Sequence, residues 1–192
     1  MTILVSRTDS IGDVVLTLPL VGAIKRYLPS SKVIFLGKSY TKAVIELCDD
    51  VDEFLNWDDL RKDLKKAHTV LQNKNINTAI LVFPDKQIAK VCKKAKIKHR
   101  IGTSHRVYNL LYCNRLINFS RRKSNEHEAI LNLKLLNKVP GFPNKVAYDD
   151  INNLLNVSIK STDYPNGYIS ENENLKYVII HPKSNGSARE WG

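Results

Sequence analysis

Short apolar runs alternate with longer segments of helical periodicity over the first half of the chain. Residues 2–6 form the first run, and a polar stretch ending in Gly12-Asp13 follows it. Val14, Val15, Leu18, Val21, Ala23, Ile24 and Leu28 then repeat at roughly helical spacing until Pro29-Ser30 stops them. The couplet recurs. Residues 32–36 are closed by Gly37 and followed by a helical stretch at 40–48. Residues 51–55 lead into a helix over 59–74 with a charged outer face. Residues 78–83 are closed by Pro84 and lead into a helix over 85–94, and residues 97–101 are closed by Gly102. The runs are continuously apolar rather than alternating, as expected of parallel strands covered on both faces. The pattern predicts an α/β domain with a Rossmann-like, open, mostly parallel sheet. Right-handed crossovers would put its ligand loops at the carboxyl ends of the strands, near Arg7–Asp13, Gly37–Tyr40, Pro84–Asp85 and Gly102–Arg106.

Beyond this the pattern changes. Residues 103–123 read as irregular, basic and aromatic. A helix is expected over 126–138, with Ser124 placed to cap it and Ile130, Leu131, Leu133, Leu135 and Leu136 on its apolar side. Residues 139–174 carry turn signals such as Pro140-Gly141 and Pro165-Asn166-Gly167, with room for a short helix at 151–155. Tyr177–His181 reads as a strand that runs into a polar, Gly/Ser-rich turn. The expected organisation is a domain over 1–138, a linker over 139–174, and the first strand and ligand loop of a truncated second domain over 175–192.

Composition narrows the partners. A hydrophobic fraction of 43% with 26% charged residues is that of a globular chain. Thirty Lys and Arg against nineteen Asp and Glu give a net charge of +11. That balance favours an anionic partner such as a phosphorylated glycan, an anionic membrane face or nucleic acid, unless the lysines serve only solubility. No recognised nucleic-acid motif accompanies the charge, so no specific nucleic acid is expected. Cys48, Cys92 and Cys113 are odd in number and have no metal spacing, and the five histidines have none either. No metal is expected, and a reducing, cytoplasmic setting fits. The N-terminus enters Ile3-Leu4-Val5 without the basic region and long apolar core of a signal peptide. No apolar run approaches the roughly 18 residues of a membrane span.

The sharpest chemistry lies in Arg7-Thr-Asp-Ser-Ile-Gly-Asp13, between the first strand and the first helix. Gly12 permits close approach of backbone to ligand, and the helix start offers N–H groups to an anion. The loop carries neither the dinucleotide fingerprint nor a phosphate-gripping lysine. Asp13 reads either as an acid/base group or as the N-cap of the helix. Asp9 is a weaker candidate. Arg100, Arg106, Arg115, Arg121, Arg122 and Lys123 form a loose cationic belt with Tyr108, Tyr112 and Phe119 among them. The belt suits an anionic acceptor or anionic lipid headgroups. Leu110, Leu111, Leu116 and Ile117 read either as residues that dip into the membrane interface or as residues that complete the core, and the core is the expectation. His99 and His105 are candidates to line the cleft, and His127 reads as a helix-surface residue or an acceptor contact.

Arg7-x-x-x-Ile-Gly-Asp-Val-Val-Leu-Thr-Leu-Pro-Leu-Val-x-Ala-Ile-Lys, ending at Pro29, resembles the opening of the lipopolysaccharide heptosyltransferases, glycosyltransferase family 9. Lys32–Tyr40, Val51–Phe54, Arg100-Ile-Gly102 and Ile180-His-Pro-x-Ser-x-Gly-Ser-Ala-Arg-x-Trp191 continue the likeness over essentially the whole chain. The resemblance implies the N-terminal, acceptor-binding domain of a GT-B glycosyltransferase, joined to the start of a domain for a nucleotide-sugar. The implied reaction moves heptose from ADP-L-glycero-D-manno-heptose to lipid A–Kdo or the growing core, with inversion and without a metal or other cofactor. Its implied place is the cytoplasmic face of the inner membrane, against an anionic surface. Asp13 matches the family's catalytic base. Ser184, Ser187 and Arg189 match residues around the donor diphosphate, with Lys183 a further candidate there. Arg7, Gly12, Arg100, Arg106, Arg121 and Arg122 are the expected acceptor side. The sequence departs from the family at Lys183, where glycine is usual, and at Gly192, where proline is common. The alternatives are another nucleotide-sugar donor and a non-catalytic anion-binding α/β module. A fragment without the donor domain is expected to be inactive alone.

Overall fold

The computed structural model describes residues 1–121, 124–143 and 151–158. The elements follow one another as β1 (Thr2–Ser6), α1 (Ile11–Val15), α2 (Leu18–Tyr27), β2 (Lys32–Gly37), α3 (Lys42–Glu46) and β3 (Glu53–Asn56). Then come α4 (Trp57–Leu60), α5 (Leu64–Asn73), β4 (Thr78–Leu81), α6 (Lys86–Lys94), β5 (His99–Thr103), α7 (Val107–Tyr112), β6 (Arg115–Ile117) and α8 (Glu128–Lys134). The six strands of the described residues are all parallel, in the order β3-β2-β1-β4-β5-β6. This is the Rossmann-like open sheet expected from the sequence.

Strand side chains alternate between two cores. Ile3, Val5, Val33, Phe35, Ile80 and Val82 face one side and meet Leu20, Ile24, Leu133 and Leu136 from α2, α8 and the turn after α8. Leu4, Ile34, Leu36, Ala79 and Leu81 face the other and meet Ala67, Leu71, Ile88 and Cys92 from α5 and α6. Burial of each large aliphatic side chain is worth about 1.5–3 kcal/mol. Both faces are covered, so a one-residue slip of β1 would exchange two sets of apolar contacts.

The long helical run expected over 14–27 is two helices. α1 ends at Val15 and α2 starts at Leu18, with Pro19 in its first turn. Proline has no N–H to donate and is accommodated where that N–H is an orphan anyway. Asp63 and Asp85 cap α5 and α6, each accepting two backbone N–H bonds. The 103–123 stretch is not irregular throughout. It holds α7 and the edge strand β6, whose Ile117 pairs with Thr103. Leu110 and Leu111 stand exposed on α7 and are not the core residues expected, whereas Leu116 and Ile117 are half-buried against the two cores. α8 begins at Glu128 with His127 as its cap, its Nδ1 accepting from the Ala129 N–H at 3.3 Å. Ser124 instead accepts from the Glu126 N–H.

Two compact units divide the chain, Met1–Ser158 and Ile159–Gly192, and the described residues belong to the first. Within it, the described part of the expected linker packs on the domain. Leu154 is buried in the core, the 3-10 turn Asn152–Leu154 lies on α2, and Val157 bridges to Cys48. A Cβ at Gly22 would stand 1.8 Å from the Leu154 carbonyl oxygen, so glycine is what lets this segment touch α2.

Candidate active site

The strand order reverses between β1 and β4, and the loops leaving their carboxyl ends diverge there. In open α/β sheets this switch point is where ligands bind. The Arg7 N–H bonds to the Leu36 carbonyl at 3.1 Å, while Val82 and Phe83 donate to the Ser6 carbonyl. The chain is therefore fixed on both sides up to the point where the loops part.

Arg7 stands at that point with only 3% of its side chain exposed. An isolated buried guanidinium would be costly, and three carboxylates answer it. Its Nε donates to Asp9 Oδ1 at 2.6 Å, Nη2 meets Asp13 Oδ1 at 2.7 Å, and Nη1 donates to Glu128 Oε1 at 3.0 Å. Glu128 also accepts from Arg121, which in turn donates to Asn132 Oδ1 at 2.8 Å and to the Val82 carbonyl at 2.9 Å. Asn132 returns to the first helix pair through the Leu16 carbonyl at 2.9 Å. Two guanidinium groups thus join three carboxylates, one loop and the start of α8 in a single network.

The titrations reflect this crowding. Burial works to lower the Arg7 guanidinium, but its bonds to Asp9 and Glu128 and the charges of Asp9 and Asp13 hold it above its ordinary value. Burial, followed by the proximity of Arg7, lowers Arg121. Burial raises the Asp9 carboxyl despite its bond to Arg7, and the charge of Asp13 adds to the rise. Tyr40 fixes the same loop by donating its hydroxyl to the Asp9 carbonyl.

Asp13 is the accessible member, with 35% of its side chain exposed. It is not the N-cap. Ser10 is, accepting from the Asp13 N–H at 3.4 Å while donating its hydroxyl to Asp13 Oδ2 at 2.5 Å. Both carboxylate oxygens are therefore oriented, one by Arg7 and one by Ser10. A carboxylate has about four acceptor positions, so room remains for an incoming hydroxyl. The exposed Ile11, Val15 and Tyr40 stand on the elements around it, and the exposed Phe83 ring lies 6.0 Å from the Arg7 guanidinium carbon. A groove of about 380 Å³ opens beside Val15, Leu16, Pro19, His127 and Leu155. The larger cavity, about 490 Å³, is lined by Lys25, Arg26, Asp50 and residues 152–156 and contains none of the Arg7 loop.

The expected acceptor residues are not all brought together. Arg7 and Arg121 meet in the network, where both are largely committed to internal partners. Gly12 is exposed in the first turn of α1, and a Cβ there would meet nothing within 4 Å. Arg106 is exposed just after β5 and makes no ion pair among the described residues. Arg100 lies toward the amino end of β5, paired with Ala79, and its guanidinium donates to the Tyr112 and Ile97 carbonyls. It is placed to support the backbone, away from the carboxyl ends. His99, at the amino end of the same strand, accepts from Arg115 Nε at 3.1 Å. Arg122, Lys183, Ser184, Ser187 and Arg189 lie outside the described residues. No group of three His, Cys, Asp or Glu side chains suited to a metal ion occurs among the described residues.

Sequence reading missed Glu128 and Asn132. Glu128 stands more than a hundred positions from Arg7, which it holds, and Asn132 as far from the Leu16 carbonyl between α1 and α2, to which it donates. The available signal was an acid in the first turn of a helix, which by itself denotes only a favourable dipole contact.

No family model matches the chain. A curated "Putative glycosyltransferase" of Haemophilus influenzae strain Rd is 25% identical over 192 residues, covering 97% of this chain and 55% of that protein. The chain thus spans about half the length of the curated relative it matches. Among solved structures, a glycosyl transferase family 9 protein of Veillonella parvula superimposes with a TM-score of 0.62 at 17% identity, covering 75% of this chain and 42% of that one. E. coli heptosyltransferase WaaC with ADP gives 0.62 at 18% identity, over 80% and 52%. E. coli ADP-heptose lps heptosyltransferase II gives 0.57 at 18%, over 64% and 36%. The fold is the mixed α/β, Rossmann-like fold of these family 9 structures.

Proposed function

We propose that this chain supplies the acceptor side and the general base of a family 9 glycosyltransferase of GT-B architecture. The observation that carries the reading is Asp13, an accessible carboxylate at the switch point, oriented by a buried arginine and by the helix cap. The sequence likeness to the heptosyltransferases and the shared fold support it.

In the proposed reaction Asp13 accepts the proton of an acceptor hydroxyl. The oxygen attacks the anomeric carbon as the bond to the diphosphate breaks, and the nucleoside diphosphate leaves with the electron pair. Attack opposite the leaving group inverts the centre. Negative charge on the departing diphosphate needs fixed donors, a role given to Ser184, Ser187, Arg189 and Lys183. No step calls on a metal. The proposed donor is ADP-L-glycero-D-manno-heptose, and the proposed acceptor is lipid A–Kdo or the inner core of lipopolysaccharide. Arg106 is the exposed cation nearest in sequence to the carboxyl end of β5 and is the acceptor contact we favour from this strand. The proposed setting is the cytoplasmic face of the inner membrane. Lys183, where the family usually carries glycine, favours a second reading in which the same chemistry uses another nucleotide-sugar.

The test is incubation of the chain joined to a complete donor domain with ADP-heptose and a Kdo-bearing acceptor in the presence of a chelator. Release of ADP with a new glycosidic bond of inverted configuration is expected. Transfer that stops with chelator, or that retains configuration, would overturn the mechanism. Transfer only from a different nucleotide-sugar would select the second reading.

A further inference from the structure

A carboxylate bonded to an arginine is a poor base unless something else takes up the arginine's charge. An opposite charge in contact favours the ionised form and so weakens its hold on a proton. Asp13 Oδ1 lies 2.7 Å from Arg7 Nη2, and Arg7, with 3% of its side chain exposed, is little screened by solvent. Two further carboxylates share the same guanidinium, Asp9 on Nε and Glu128 on Nη1. Asp9 belongs to the loop that carries Asp13. Glu128 is brought in from α8.

α8 holds Glu128 from the core side. Ala129, Leu131 and Leu133 are buried. Asn132, one turn on from Glu128, donates to the Leu16 carbonyl at 2.9 Å and to Thr17 Oγ1 at 3.3 Å, which ties α8 to the junction of α1 and α2. Arg121 spans the two α8 side chains, donating to Glu128 Oε1 and to Asn132 Oδ1, while its other nitrogen donates to the Val82 carbonyl. One oxygen of Glu128 therefore stands between two guanidinium groups. Burial and then the charge of Arg7 already lower Arg121, so this oxygen also offsets a like-charge contact.

The charged and titratable groups around Asp13 come from four places. They are Arg7 and Asp9 of its own loop, Tyr40 after β2, Arg121 after β6 and Glu128 of α8. Burial, then the charges of Asp9 and Asp13, raises the Tyr40 hydroxyl, which stays neutral. His127, next to Glu128, is engaged as the cap of α8. Two cations are thus set against three anions, and Glu128 is the anion that touches both cations.

We propose that Glu128 keeps Asp13 basic: by taking a share of the Arg7 charge and neutralising Arg121 beside it, it lets Arg7 orient Asp13 without suppressing its affinity for a proton. The inference rests on the reading of Asp13 as the base and deepens it. Glu128 is a positioning residue that acts through Arg7. The guanidinium is a planar fork with one nitrogen for each carboxylate, so what is fixed at Nη1 is also fixed at Nη2.

The test is kcat and acceptor KM across pH for the chain joined to a complete donor domain, native and with Glu128→Gln. Glutamine keeps the shape and an oxygen acceptor and removes the charge. The excess of positive charge left around Asp13 should move the acidic limb of the kcat profile to lower pH. It should also lower kcat at neutral pH about threefold to tenfold, because a weaker base accepts the proton less readily. Acceptor KM should change by less than about twofold. Arg121→Gln removes the cation on the far side of Glu128 and should move the limb to higher pH; it carries the test if the first variant does not fold. A limb unmoved in both variants, or moved the same way in both, would overturn the proposal. A rise in KM at constant kcat in Glu128→Gln would overturn it too, since Glu128 would then be an acceptor contact. Should the native protein transfer no sugar, the transferase reading fails and the coupling is still read on the chain alone. The Asp13 carboxyl carbon resonance should then respond at lower pH in Glu128→Gln than in the native chain, and coincident curves would overturn the proposal.

Discussion

At the residue scale, the site is an arrangement for orienting one accessible carboxylate. Arg7 had the look of a ligand-binding residue in the sequence, but it is buried and engaged with Asp9, Asp13 and Glu128. In the proposed mechanism its work is to position Asp13. Asp13→Asn should keep the shape of the loop and the bond to Ser10 while removing the proposed base. Transfer should fall by about 10²–10⁴-fold with acceptor binding retained, measured as kcat beside acceptor Kd. Gly12 offers a separation of fold from function. A Cβ there meets no atom of the domain, so Gly12→Ala should stabilise the protein by up to about 1 kcal/mol in a melt. If the acceptor approaches this turn closely, the same variant should raise its KM. The Arg7–Asp13 loop was legible because its residues are contiguous. Glu128 and Asn132 were not, because only the folded chain brings α8 to that loop.

At the element scale, contiguous apolar runs were read well and short or interrupted ones poorly. β1, β2 and β4 announce themselves as unbroken apolar segments. β6 has only three residues and begins with Arg115, so its apolar content falls below any useful period. The division between α1 and α2 was signalled by Pro19, but the helical period of the flanking residues obscured it. The contact of α2 with residues 152–154 depends on Gly22. Gly22→Ala should displace that segment and destabilise the domain by about 1–3 kcal/mol in urea denaturation. A second junction is pH-sensitive. Burial would raise the Asp52 carboxyl, but bonds from Lys25 Nζ and the Val33 N–H, each 2.6 Å, hold it below the usual range. Its folded value lies under its unfolded one, so its contribution is present above the ordinary carboxylate range and is lost as pH falls through the folded value. Acid titration of the melting temperature should be shallower in Asp52→Asn at that end.

At the scale of the whole molecule, the all-parallel order β3-β2-β1-β4-β5-β6 carries the active-site proposal, because it puts the Arg7 loop at the switch point. The same tight packing governs the cysteines. All three are buried, and burial pushes the Cys92 thiol up to about 12 and Cys113 up to about 11. Labelling by a thiol-reactive dye should therefore be slow in the native protein and rapid in denaturant; fast native labelling would contradict the packing described. Net charge was legible from composition, but its distribution was not. The centre of the site is rich in carboxylates, while an exposed cationic stripe, Lys86, Lys90 and Lys94, lies on α6. The most direct measurement of the central claim is the rate of heptosyl transfer to a Kdo-bearing acceptor by the chain joined to a complete donor domain and by its Asp13→Asn variant, with acceptor affinity measured in both. The account predicts robust transfer by the first and a loss of at least about a hundredfold in the second at unchanged affinity. Equal rates in the two proteins would show that Asp13 is not the base.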